Sequence, residues 1–215
     1  MNASRGNLTL VMVSGIFTAP NFMHEFGGKL RERCEDAGFL VRDMRFVMPY
    51  GDWSAVRLKQ AAEAAADVLF PSFGGKRTLA GLALHIGGEG EFALVGHSGG
   101  GVAALHAAYK LLRLGAPVRA VVMIGSPKTA VPEALRPLTA FLYAGGPGFR
   151  SRDPVSRIGS FLGRPPARMQ PLEIKGGHRD YFRSRPPFIA PSGESNLELT
   201  ADAAFHWILT ASSTS

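Results

Sequence analysis

Hydrophobic positions fall in short blocks along the chain, separated by stretches in which they recur every three or four residues. Leu8 to Val13 is a mostly apolar, β-rich run closed by Ser14-Gly15, the pattern of a strand covered on both faces. Phe22 to Ala37 carries apolar residues at Phe22, Met23, Phe26, Leu30 and Cys34 with charges between them, which predicts an amphipathic helix ended by Gly38. Further strands are predicted at Leu40 to Phe46, Glu91 to Val95, Val118 to Ile124, Leu138 to Ala144 and Met169 to Ile174. The last contains Pro171, which is best tolerated at a sheet edge.

Helices fill the intervals. Asp52 or Ser54 can cap an alanine-rich helix that runs to Phe70 and is stopped by Pro71 and Gly74-Gly75. A short helix from Leu79 to Ile86 precedes a glycine-rich turn at Gly87 to Gly90. Gly99 to Leu114 reads as a helix with small residues at its start, and Pro132 to Pro137 as a short helical or irregular link. Thr200 can cap a terminal helix with Ala204, Phe205, Ile208 and Leu209 on one side. Strand and helix alternating in this way predict an α/β fold: a six-stranded, mostly parallel sheet with helices on both faces.

The 215 residues suffice for one core, so a single domain over 1–215 is expected, with a frayed tail at 211–215. With 46% hydrophobic and 19% charged residues, the chain is too apolar to be mainly disordered. Its apolar runs are far shorter than the roughly 20 residues of a membrane span, and no signal-peptide pattern opens it, so a cytoplasmic protein is expected. Cys34, the single cysteine, excludes an intrachain disulfide and a cysteine-based zinc cluster.

Gly96-His97-Ser98-Gly99-Gly100 lies between a predicted buried strand and a predicted helix, the context in which G-x-S-x-G forms a nucleophile elbow. A serine there sits on a strained turn, so glycines must flank it, and the first N–H groups of the following helix face the reacting carbonyl. Two nucleotide-binding readings fail. Gly96, Gly99 and Gly101 give the reverse of the dinucleotide spacing, and Gly75-Lys76 is followed by Arg77 rather than Ser or Thr.

A serine nucleophile needs a base and an acid that orients it. Of six histidines, His24, His85, His97, His106 and His206 lie in or beside helices or in the elbow itself and read as structural or surface residues. His178, in Gly176-Gly177-His178 beyond the last strand, lies where the sites of open parallel sheets gather. Only Glu133, Asp153 and Glu173 fall between Ser98 and His178. Asp153, in the bend Asp153-Pro154-Val155, is the candidate, although it lies nine positions beyond Ala144 at the end of the fifth strand.

With Ser98, Asp153 and His178 in this order, and Ser14-Gly15-Ile16-Phe17 after the first strand, the chain resembles the α/β-hydrolase superfamily of serine esterases and lipases over nearly its whole length. The resemblance extends to Gly-His-Ser-Gly-Gly-Gly, Asp-Pro-Val and Gly-Gly-His-Arg-Asp-Tyr-Phe, which are similar to those of small, lidless bacterial esterases. It implies the minimal α/β-hydrolase fold without a cap domain. It also implies an oxyanion hole from the N–H groups of Ile16 and Gly99, with Phe17 as the alternative to Ile16; Ser14 stands where those relatives carry a histidine. The implied chemistry is carboxylic ester hydrolysis through an acyl-enzyme, with no metal or organic cofactor. Thioesterase, amidase and cofactor-free haloperoxidase activities share the fold, as do non-catalytic binding proteins.

Phe17, Phe22 and Tyr181, with Met23, Trp53 and Phe182, are candidates to line a pocket for a small ester or lipid substrate. The formal charge of +7 is concentrated between Arg150 and Arg185, where nine basic residues face three acidic ones. A stretch carrying both Asp153 and His178 would suit an anionic ester, phospholipid or acyl thioester, or it is a solvated face; nucleic acid is not the expected partner.

Overall fold

The computed structural model describes residues 5–51, 57–69, 73–82, 90–146, 151–190 and 192–211. Its elements run β1 (Asn7–Val13), α1 (His24–Asp36), β2 (Leu40–Val47), α2 (Arg57–Leu69), α3 (Phe73–Ala80), β3 (Glu91–His97), α4 (Gly99–Arg113), β4 (Val118–Ile124), β5 (Thr139–Ala144), β6 (Arg168–Leu172) and α5 (Asn196–Thr210). Short 3₁₀ turns occupy Glu133–Leu138 and Val155–Arg157. The strands form one sheet in the order β2-β1-β3-β4-β5-β6, and every pairing is parallel.

Alternate residues of the central strands feed two cores. Leu10 and Met12 of β1 join Phe26 and Leu30 of α1 and Ala204 and Ile208 of α5, while Val11 and Val13 join Val102 and Leu105 of α4. Each fully buried Leu, Met or Phe contributes roughly 1.5–3 kcal/mol relative to exposure, so continuous apolar strands favour a sheet covered on both faces. Arg119 of β4 donates to the carbonyl oxygens of Ile208 and Leu209, both at 2.9 Å, satisfying orphan acceptors in the last turn of α5. Among the described residues no helix is long and apolar enough to cross a membrane.

Several expectations are revised. Gly74 and Gly75 lie inside α3 rather than ending a helix. A Cβ at Gly74 would come within 2.5 Å of Asp67 Oδ2 and Tyr50 Oη, and one at Gly75 within 2.5 Å of His106 Cβ, so close packing accounts for both glycines. Of the short helix expected from Leu79 to Ile86, Leu79 and Ala80 instead end α3 and Gly81-Leu82 form a turn; residues 83–89, which include the rest of it, His85 and most of the glycine-rich turn, lie outside the described residues. The terminal helix starts a turn earlier than Thr200. Ser195 caps it, accepting from Glu198 N–H while the Glu198 carboxylate takes the Ser195 N–H in return, and Thr200 Oγ1 instead donates to Asn196 O. Ala211, the first residue of the expected frayed tail, is buried, with its N–H on Trp207 O at 2.8 Å.

Candidate active site

The chain leaves β1 for β2 on one side of the sheet, whereas β3 pairs on the other side of β1. The carboxyl ends of β1 and β3 therefore border the crevice where ligands of open α/β sheets gather. Ser98 follows β3 directly with φ 58° and ψ −136°, a left-handed conformation that costs a non-glycine residue about 1–3 kcal/mol. The surrounding glycines make the turn possible. A Cβ at Gly96 would lie 2.3 Å from Gly100 O, and one at Gly100 would lie 2.2 Å from Val13 O. Gly15 of the loop after β1 packs on the serine itself, since a Cβ there would meet Ser98 Cβ at 2.7 Å.

His178 Nε2 lies 3.0 Å from Ser98 Oγ, and His178 Nδ1 lies 2.9 Å from Asp153 Oδ2. A carboxylate only accepts, so Nδ1 carries the proton and Nε2 is left to accept from the serine hydroxyl. Asp153 is wholly buried; its Oδ2 also accepts from Tyr181 Oη at 2.9 Å and its Oδ1 from Val155 N–H at 2.8 Å. Burial works against ionisation, but the bond to His178, its charge and the other two donors outweigh it, holding the carboxyl below its ordinary pKa.

The long gap before Asp153 closes on itself. Gly145 bridges Ser151 antiparallel to it, and Arg152 N–H donates to Ala144 O at 2.7 Å, so the chain returns to the end of β5 just before the aspartate. Gly125, after β4, has φ 54° and leaves room for the carboxylate: a Cβ there would lie 2.7 Å from Asp153 Oδ2. Glu133 and Glu173, the other two acids considered, are exposed and take no part in this arrangement.

The His178 turn is held from two sides. The side-chain amide of buried Asn196, at the start of α5, donates to Lys175 O and Asp180 O and accepts from Lys175 N–H, at 2.6–2.8 Å. Asp180 Oδ2 accepts from Gly177 N–H at 2.8 Å. From below, His97 Nε2 donates to His178 O at 2.9 Å, and the two imidazoles stack with centroids 4.8 Å apart. His97 Nδ1 is buried without a hydrogen-bond partner among the described residues. Burial above all, with the neighbouring His178, lowers the His97 pKa to about 3, so this ring stays neutral.

Neither Asn196 nor the contribution of His97 was apparent in the sequence. The only signal for His97 is its position next to the serine; nothing local marks Asn196.

In the loop after β1, Phe17 (φ 57°) donates its N–H to Gln60 Oε1 of α2 at 3.1 Å, and Thr18 Oγ1 donates to Gly15 O. That commits Phe17 N–H and leaves Ile16 N–H, beside the elbow, without a hydrogen-bond acceptor among the described residues. Gly99 opens α4, so its N–H is one of the orphan donors at the helix N-terminus. Behind Gly99 stands Tyr50, whose hydroxyl donates to Asp67 Oδ2 at 2.7 Å.

The candidate pocket residues separate. Phe17 is 42% exposed at the surface, and Phe22 is half-buried against His97 and Phe182. Tyr181, expected beside substrate, is instead wholly buried. Its hydroxyl donates to Asp153 and accepts from Ala144 N–H at 2.7 Å, so both hydroxyl roles are spent inside the protein. Met23 is also fully buried, Phe182 nearly so, and Trp53 lies outside the described residues. The basic segment serves the fold in part: Arg152 donates to Ile174 O and Arg157 to Ser151 O. Among the described residues no group of three His, Cys, Asp or Glu side chains could hold a metal ion.

Residues 77–140, from α3 into β5 and including the elbow, match the family model described as a thioesterase domain. No curated protein matches the sequence. Among solved structures, the NocB thioesterase domain of the nocardicin cluster aligns over 95% of each chain at 16% identity with a TM-score of 0.51. An extracellular α/β-hydrolase from a Paenibacillus species aligns over 95% of this chain and 98% of that one, at 14% identity and a TM-score of 0.48. RedJ thioesterase, from the prodiginine pathway of Streptomyces coelicolor, reaches 22% identity and a TM-score of 0.36 over 59% of this chain, which spans only 44% of that one. What is shared with the NocB domain is the architecture: this chain has the α/β-hydrolase fold, a six-stranded parallel sheet with helices on both faces.

Proposed function

We propose that the protein is a serine hydrolase that cleaves carboxylic esters through an acyl-enzyme on Ser98, with His178 as general base and Asp153 as the acid that orients it. The observation that carries this reading is the continuous line of hydrogen bonds from Ser98 Oγ through His178 to a buried, ionised Asp153. In the first step Ser98 Oγ attacks the acyl carbonyl carbon as His178 Nε2 takes its proton. The carboxylate of Asp153 stabilises the resulting imidazolium through Nδ1–H. The N–H groups of Ile16 and Gly99 hold the oxyanion. Collapse expels the alcohol, which His178 protonates; water then enters by the same route in reverse and releases the acid. Phe17 and Phe22 are the residues proposed to touch the acyl or leaving group.

A thioester substrate is the second reading, favoured by the match of residues 77–140 to the thioesterase-domain model. The same steps serve, with a thiol as leaving group.

The test is hydrolysis of p-nitrophenyl acetate and butyrate, and of an acyl thioester read with a thiol reagent, by wild type and Ser98→Ala, alongside labelling with a fluorophosphonate. Wild type should turn over one class and take the label, and Ser98→Ala should lose at least about a thousandfold of the rate. Equal rates in both proteins, or neither turnover nor labelling in wild type, overturns the reading. A preference for the thioester decides the second reading over the first.

A further inference from the structure

On the face of β5 and β6 that looks toward α4 there is a cavity of about 680 Å³ that Ser98 and His178 do not line. Ser151, Ser156 and Arg157, from the chain between β5 and β6, line it together with Lys128, after β4. A cavity of this size falls in the range that encloses small organic ligands.

Its walls are of two kinds. Phe141 and Met169 give an apolar side, and Met169 is 42% exposed, a large apolar side chain left without cover. The other side is polar and carries positive charge only: Lys128 and Arg157 line it, and no acidic side chain does among the described residues. Arg157 is already bonded to Ser151 O. The Lys128 ammonium has no acceptor or ion-pair partner among the described residues.

Tyr143 completes the pattern. It is 4% exposed, it lines the cavity, and its hydroxyl has no hydrogen-bond partner among the described residues. The ring is packed away while the hydroxyl at its tip stays accessible, so the O–H opens to the cavity, free to bond a ligand there. Burial raises the Tyr143 pKa, so it remains a neutral O–H, able to donate to an anion. An unpaired ammonium and an unpaired phenol hydroxyl open to the cavity, beside an apolar wall, describe an acceptor-rich, negatively charged head with a hydrocarbon body.

We propose that this cavity is a binding site for a small anionic amphiphile, its carboxylate or phosphate received by Lys128 and Tyr143 and its aliphatic or aromatic part laid on Phe141 and Met169. The site is separate from Ser98 and stands whether or not the serine is catalytic. It is nonetheless joined to the Asp153 turn. Ser151 and Ser156, which also line the cavity, hold that turn: Ser156 Oγ donates to Asp153 O at 3.0 Å, and Ser151 Oγ accepts from Asp153 N–H at 3.1 Å.

Calorimetric titration of the full chain with decanoate, decyl phosphate and decanol, each below its aggregation threshold, tests the proposal without reference to turnover. One or both anions should bind at least tenfold more tightly than decanol, and which anion wins identifies the head group. Lys128→Ala should weaken the anion at least tenfold, Lys128→Arg should restore most of the loss, and Tyr143→Phe should weaken it several-fold. Equal binding of anion and alcohol, no anion binding, or anion binding indifferent to Lys128→Ala would each overturn the site. Circular dichroism and the melting temperature of each variant separate lost binding from lost structure.

Discussion

The Nε2–H of His97 is bonded to the backbone carbonyl of His178 at 2.9 Å while the two rings stack. The residue beside the serine thus grips the residue that faces the serine's hydroxyl, and the contact is made through main chain, leaving both nitrogens of His178 for Ser98 and Asp153.

Replacing His97 should therefore act on turnover through placement of His178. His97→Ala removes the donor and leaves a partly buried carbonyl without it, which should lower kcat about tenfold to a hundredfold with a smaller change in KM. His97→Gln, which retains a side-chain N–H donor, should recover part of the loss. Steady-state kinetics on p-nitrophenyl butyrate distinguish this from a merely structural role, for which kcat would be unchanged in the fraction that folds.

Tyr181→Phe tests the support behind the acid. The change keeps the ring but strands Ala144 N–H and removes one of the donors to Asp153. A loss of about 1–3 kcal/mol in unfolding free energy is expected, read as a lower urea midpoint at an unchanged slope. An unchanged midpoint would mean that water or a shifted neighbour replaces the hydroxyl.

Acid should destabilise the fold before most carboxylates titrate. Burial is the main cause of the lowered pKa values of His97, about 3, and His106, about 4, against an ordinary value of 6.5. Between about pH 6.5 and the folded values the unfolded chain binds protons that the folded chain refuses, so stability is full above that window and falls as pH drops through it. Each histidine contributes a slope of up to about 1.4 kcal/mol per pH unit. Urea unfolding from pH 7 to pH 5 measures this, and His106→Gln should flatten the dependence.

The inner strands β1, β3, β4 and β5 were legible because both faces of the sheet are covered there, so each wrote itself as a mostly apolar run, while the edge strands β2 and β6 mix apolar with polar residues and are partly exposed. Ser98 was legible because its strained backbone admits only glycine at 96 and 100. What was lost depended on distant partners. Tyr181 read as a pocket aromatic because nothing in Asp180-Tyr181-Phe182 reveals that its hydroxyl ends between Asp153 and Ala144, residues 28 and 37 positions away. Gly74-Gly75 read as a helix stop because intrinsic propensity says so, while the contacts with Tyr50, Asp67 and His106 that require small residues there are tertiary. Asp153 was singled out by elimination among three acids, and its carboxylate lies beside His178 Nδ1. The position of Asp153, nine beyond Ala144, made sense only once the Arg152 to Ala144 bond was seen.

That bond, with the Gly145–Ser151 bridge beside it, forms a clasp that ties the approach to Asp153 onto the end of β5. The two sides of the clasp fix where the carboxylate sits, so chain inserted between them should leave it in place, at a loop-closure cost of only about 0.6 kcal/mol for each doubling of length. The segment between Gly145 and Ser151 is accordingly the place to graft a lid or a recognition module onto this scaffold with the acid left in its seat.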